Sequence, residues 1–269
     1  MKSLFSLIAL IVLCLGAGCK DRFEHPQTLG GVEVSAKVLS RGYTVYSRNC
    51  GRCHGSTGNG KTTAKAKDRP PRDLTIGIYK YGSVIDGGLP TDDDLLRILK
   101  TGFKSNLMPS YDHLSSSDLN ALVQYIKTLA PRWKEDKAGV AIAIPANPWV
   151  GRSAQAVAAG KRIYHAQAQC WSCHPGYMNA AEINALASPK PLSIRPNIRQ
   201  PKTVKTDYGQ LRSPDFEKDR LVAVHTRTDL YRIIATGIPG TPMPSWSDSF
   251  SPKELWALVS YVESLKPRN

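Results

Sequence analysis

Two five-residue stretches constrain this chain more than anything else in it: C-G-R-C-H at residues 50–54 and C-W-S-C-H at residues 170–174. A lone C-x-x-C suits a redox disulfide or half of a zinc site. A histidine directly after the second cysteine, twice in one chain, is the pattern of c-type haem attachment. Two thiols about one helical turn apart can form thioethers with the two vinyl groups on one porphyrin edge, and the adjacent histidine then falls under the ring with a nitrogen on the iron. A zinc site would gather all four thiols and leave both histidines redundant. Cys50, Cys53, Cys170 and Cys173 are therefore expected to hold two haem c groups, with His54 and His174 as proximal iron ligands.

The other two of the six cysteines, Cys14 and Cys19, lie in an N-terminal segment unlike the rest. Lys2, a largely apolar run over 4–15 and then Gly16-Ala17-Gly18-Cys19 form the charge, apolar core and small-residue site of a secretory leader. Small residues running into Cys19 resemble the lipobox of bacterial lipoproteins, which implies acylation of Cys19 as the mature N-terminus. A leader removed without lipidation, or kept as an anchor, stays open. No later stretch reaches the roughly 18 apolar residues that a spanning helix needs. The expected location is periplasmic or otherwise extracytoplasmic, with membrane attachment through the N-terminus.

The 269 residues, 41% apolar and 22% charged, have a soluble globular composition and allow two domains of about 100 residues each. The 36 basic and 22 acidic residues give +14. The charge becomes about +9 once Lys2 leaves with the leader and four haem propionates are added. Such a charge favours anionic lipid surfaces or acidic partner proteins, and export makes nucleic acid a poor partner.

The chain repeats itself. Gly-x-x-x-Tyr precedes each attachment motif, as Gly42 to Tyr46 and Gly160 to Tyr164. Downstream, T-D-D-D-L-L-R-I-L-K-T-G (91–102) matches T-R-T-D-L-Y-R-I-I-A-T-G (226–237). Both open on Thr-x-x-Asp, suited to a capping box, and close on a glycine suited to a helix C-terminus. Six residues after each glycine stands a methionine, Met108 in M-P-S-Y and Met243 in M-P-S-W. The final helices repeat too: Leu119, Leu122, Val123, Ile126 and Leu129 match Leu255, Leu258, Val259, Val262 and Leu265 on one helical face. Ser115-x-x-Asp118 and Ser251-Pro252-x-Glu254 begin them.

With these motifs the chain resembles the diheme relatives of class I cytochrome c, over roughly residues 41–131 and 151–267. The expected fold is all-α: two tandem cytochrome c-like domains, each wrapped around one covalently bound haem. In that family the last helix crosses the first at the glycine and aromatic positions, so the resemblance implies that Tyr125 and Tyr261 meet the first helices. The expected organisation is a leader at 1–19, a tether at 20–40, domain 1 at 41–131, a proline-bearing linker at 132–150 and domain 2 at 151–267. Lys190, Arg195, Arg199, Lys202 and Lys205 lie in a longer basic segment, 188–212, read as a solvated loop or a docking face.

Met108 and Met243 are the expected sixth ligands, because each half has one at the same distance from its glycine. For the second haem the rivals are Met178, His165 and His225; for the first, His113, which has no counterpart. A thioether opposite imidazole favours ferrous iron and fills the last axial position, so the expected role is electron transfer between respiratory or dehydrogenase partners. The alternative is a diheme peroxidase with one iron open to substrate. A diheme thiosulfate dehydrogenase would need a further cysteine as axial ligand, and none follows Cys53 except the committed Cys170 and Cys173.

Overall fold

The computed structural model describes residues 22–64, 71–104, 107–206 and 209–266. Cys14, Cys19 and the leader lie outside them. The first half contains α1 (Ala36–Asn49), a single turn α2 (Gly51–His54), α3 (Asp92–Thr101) and α4 (Ser116–Thr128). After a turn of helix, α5 (Arg132–Glu135), the second half follows with α6 (Ser153–Arg162), α7 (Ala180–Ala187), α8 (Arg227–Thr236) and α9 (Pro252–Ser264). Among the described residues, strands are confined to two small antiparallel hairpins, β1 (Gln27–Leu29) with β2 (Val32–Val34), and β3 (Thr203–Thr206) with β4 (Gly209–Arg212).

The helices begin where side chains can satisfy their free amides. Thr91, Thr226 and Ser251 each accept from the amide three residues on, and the Asp94, Asp229 and Glu254 carboxylates return the bond. α3 and α8 both end on a glycine at positive φ, Gly102 at 59° and Gly237 at 70°.

In both halves the first and last long helices pack at a glycine. A Cβ on Gly42 would overlap the Ala121 carbonyl and crowd Tyr125, and one on Gly160 would overlap the Ala257 carbonyl and crowd Tyr261. The repeated glycine therefore lets two helix backbones meet, as the resemblance implied. Each half has its own apolar cluster. Leu39, Tyr46, Leu95, Leu99, Leu119, Leu122 and Tyr125 lie in the first, and Tyr164, Leu230, Ile234, Leu255, Leu258 and Tyr261 in the second.

The expected tether is corrected over its described part, 22–40. Leu29 and Leu39 are fully buried in the first cluster. The Gly30 amide donates to the Trp133 carbonyl at 2.6 Å, and α1 already begins at Ala36. Burying these apolar side chains outweighs the gain from leaving the segment free. The connector also follows both halves: the Gly139 and Ile142 amides donate to the Leu89 and Ser83 carbonyls, while the Trp256 indole donates to the Pro145 carbonyl at 2.9 Å.

The halves meet along α3 and α8. Asp94 and Asp229 each pair with an arginine one turn on, Arg97 and Arg232, and Arg97 also lies 3.8 Å from Asp229 across the seam. Burial, and then the neighbouring Arg232, lower the Arg97 pKa. The Thr236 hydroxyl donates to the Gly82 carbonyl at 3.1 Å, His225 Nε2 to the Gly102 carbonyl at 3.1 Å, and the Lys104 amide to the Val222 carbonyl at 2.8 Å.

Candidate haem-binding sites

Each C-x-x-C-H forms one tight turn. The His54 amide donates to the Cys50 carbonyl and the His174 amide to the Cys170 carbonyl, both at 2.9 Å. The four thiols are unpaired. Burial pushes the Cys50 and Cys170 thiols up to about 12, so neither is the low-pKa nucleophile of a redox dithiol. Among the described residues, no three His, Cys, Asp or Glu side chains converge as a metal cluster, so the donors do not form a four-thiolate zinc site.

The two histidines are oriented alike. Nδ1 of His54 donates to the Arg72 carbonyl and Nδ1 of His174 to the Pro214 carbonyl, each at 3.0 Å. This tautomer leaves Nε2 with a lone pair. Burial lowers the pKa of both rings and so favours the neutral, ligating form. The repeated tyrosines hold the residue after each histidine: the Tyr46 hydroxyl donates to the Gly55 carbonyl and the Tyr164 hydroxyl to the Pro175 carbonyl, both at 2.7 Å. Burial raises the pKa of both phenols, keeping them protonated donors.

The methionine loops close on themselves in the same way. The Phe103 amide donates to the Met108 carbonyl at 2.8 Å, and the Ile238 amide to the Met243 carbonyl at 3.2 Å. The following serines, Ser110 and Ser245, donate to the Lys100 and Ala235 carbonyls in the helix before. Met108 packs against the cluster that contains Cys50, and Met243 against the one that Cys170 joins.

The rival ligands lie elsewhere. Met178 is in a separate small cluster with Trp171, Ile183 and Ile198. His165 is fully buried with both nitrogens engaged: Nδ1 donates to the Lys161 carbonyl and Nε2 accepts from the Tyr177 amide. His225 is spent on Gly102, and His113 is exposed beside Tyr111.

Arg195, grouped above with the basic segment as a docking candidate, is corrected. Its guanidinium donates to the Trp171, His174, Asn197, Ile198 and Gln200 carbonyls, so it ties the segment to the attachment turn. Sequence reasoning also missed the Arg72 and Pro214 carbonyls. They open R-D-L and P-D-F, matched tripeptides whose kinship is hidden because they follow their histidines by 18 and 40 residues.

The donor set fits haem c in both halves: two thiols and an oriented imidazole on one turn, with a partly buried thioether in the same apolar cluster. Fold and sites together define a c-type cytochrome with two cytochrome c domains in tandem. The family model for cytochrome c oxidase, cbb3-type, subunit III matches residues 37–126 and again 155–262. The chain belongs to that family. It is also similar to a solved chain of the reducing HAO-like protein complex of Kuenenia stuttgartiensis, with 28% identity and a TM-score of 0.67 over 84% of this chain and 96% of that one. No curated protein matches it. Its activity is haem-based electron transfer.

Proposed function

We propose that the chain carries two haem c groups, one on Cys50 and Cys53 and one on Cys170 and Cys173, with His54/Met108 and His174/Met243 as axial ligand pairs. Bound iron supplies a one-electron ferrous–ferric couple. The protein then takes one electron per haem from a donor protein and passes it to an acceptor, without binding a substrate at iron. The observation that carries this reading is the doubled construction. In each half a carbonyl accepts a hydrogen bond from Nδ1 of the proximal histidine, a tyrosine holds the next residue, and a closed Met-Pro-Ser loop lies in the same core.

The similar chain's place in a reducing HAO-like protein complex supports redox protein partners. Cytochrome c domains are typically extracytoplasmic, which supports reading 1–19 as a leader; acylation of Cys19 rests on the small residues before it in the sequence alone. No helix among the described residues is long and apolar enough to cross a membrane.

Pyridine haemochrome analysis of the purified chain is expected to give two haems. Carbon monoxide or peroxide added to the reduced protein is expected to leave the spectrum nearly unchanged. A rapid high-spin response at one haem would replace this reading with the peroxidase alternative.

A further inference from the structure

The two proximal histidines share a hydrogen bond but not a neighbourhood. After the Arg72 carbonyl that holds His54 come Asp73 and Leu74; after the Pro214 carbonyl that holds His174 come Asp215 and Phe216. In both loops the aspartate caps the amide two residues on, Thr75 or Glu217, so the loops are built alike. They part at the next side chain. The Phe216 ring stacks on the His174 imidazole, with centroids 4.6 Å apart and planes 24° from parallel.

Phe216 is itself held. Its amide donates to the Tyr177 hydroxyl at 2.7 Å, and that hydroxyl donates to Asp215 Oδ1 at 3.3 Å. Tyr177 is fixed at its other end, where its amide donates to Nε2 of the buried His165 at 3.2 Å. Burial keeps the Tyr177 phenol protonated and raises its pKa. A chain of contacts thus runs from the π-helical turn at Ile163–Gln167, through Tyr177 and Phe216, to the face of His174.

A single hydrogen bond at Nδ1 fixes where one ring nitrogen points but constrains the tilt of the imidazole plane only weakly. A ring stacked on its face removes that freedom. Groups beyond the ligands act on an iron centre in this way, by orienting the ligand ring and tuning its basicity. We infer that Tyr177 is a positioning residue for the second site: its hydroxyl holds Phe216 against His174, and this fixes the imidazole plane and sets the second centre's potential apart from the first. This rests on the reading of His174 as an axial ligand.

The test uses the haem-loaded full chain. Tyr177→Phe is expected to shift the ferric EPR g-values and the midpoint potential of one centre, leaving both quantities unchanged at the other. Phe216→Leu, which copies Leu74 of the first half, is expected to move the same centre. If both variants are merely less stable to heat, with g-values and potentials of both centres unmoved, the positioning role is overturned. It is equally overturned if both centres shift together. Should Tyr177→Phe fail to load haem, Phe216→Leu decides alone. His174→Ala separates the underlying reading: if both low-spin signals survive it unchanged, the ligand assignment fails, whereas loss of one signal there with unmoved signatures in Tyr177→Phe and Phe216→Leu overturns Tyr177 alone.

Discussion

Met243 stands between Pro242 and Pro244, whereas Met108 has proline only after it. Proline restricts its own φ and the conformation of the residue before it, so Met243 sits on the stiffer backbone. The fold changes the comparison, because the Met108 loop borrows support from the other half through Lys104 to Val222 and Gly102 to His225. Met243→Ala is expected to lower the potential of one haem and leave the other close to its original value; two unmoved midpoints in a redox titration would remove Met243 as a ligand. Imidazole added to the ferric protein is expected to displace Met108 first. His225→Ala should make that displacement easier at the same haem, with the other haem as internal control. The candidate methionines and histidines stand out by spacing alone. The phenol and carbonyl partners do not, because a hydrogen bond to a backbone oxygen leaves no mark on the residue that owns the oxygen.

Between Gly160 and Cys170 the second half has two more residues than the first has between Gly42 and Cys50. The excess is absorbed by the π-helical turn after α6 and by Gln169, which takes a left-handed conformation at φ 47°. That turn buries His165 as a neutral ring, and burial lowers its pKa to about 4. An unfolded histidine titrates near 6.5, so between about pH 6.5 and 4 the unfolded chain holds one more proton. Stability contributed by this residue is therefore full above that window and falls as the pH drops through it. Denaturant unfolding at stepped pH should show the slope, and His165→Asn should remove it. At the helix crossings, Gly160→Ala is expected to cost about 1–3 kcal/mol, as overpacking against an immobile backbone does. Thermal unfolding that matches wild type would mean α6 and α9 do not meet at that glycine. The crossing glycines were readable from the repeat; the π turn was not, since an insertion of two residues fits a loop equally well.

Across the molecule, the Asp94, Arg97, Asp229 and Arg232 side chains join equivalent helices of the two halves. Arg97 is about one-fifth exposed and Asp229 about one-tenth, so this contact is screened less than a surface pair. A double-mutant cycle of Arg97→Gln and Asp229→Asn in the haem-loaded chain is expected to show a coupling of roughly 0.5 kcal/mol or more. Additive effects would mean that the halves are not joined there in solution. The T-x-x-D-L-x-R-I repeat reads, within one sequence, as two separately capped helices. That its charged turns also face each other depends on the path of the connector, which runs beside Ser83 and Leu89 and then beneath Trp256.

Cysteine spacing, helix caps, crossing glycines and the paired methionines are local or periodic properties, and the amino-acid order alone determined them: two c-type haem motifs on two all-α units. Tertiary structure decided what depends on chain reversal. It folded 22–40 into the first core, turned Arg195 inward to hold the attachment loop, and brought Phe216 onto His174 across an insertion that hides the correspondence with Leu74. The physical reason is that burial and carbonyl hydrogen bonds are set by which segments return to one another, and sequence distance does not encode that return.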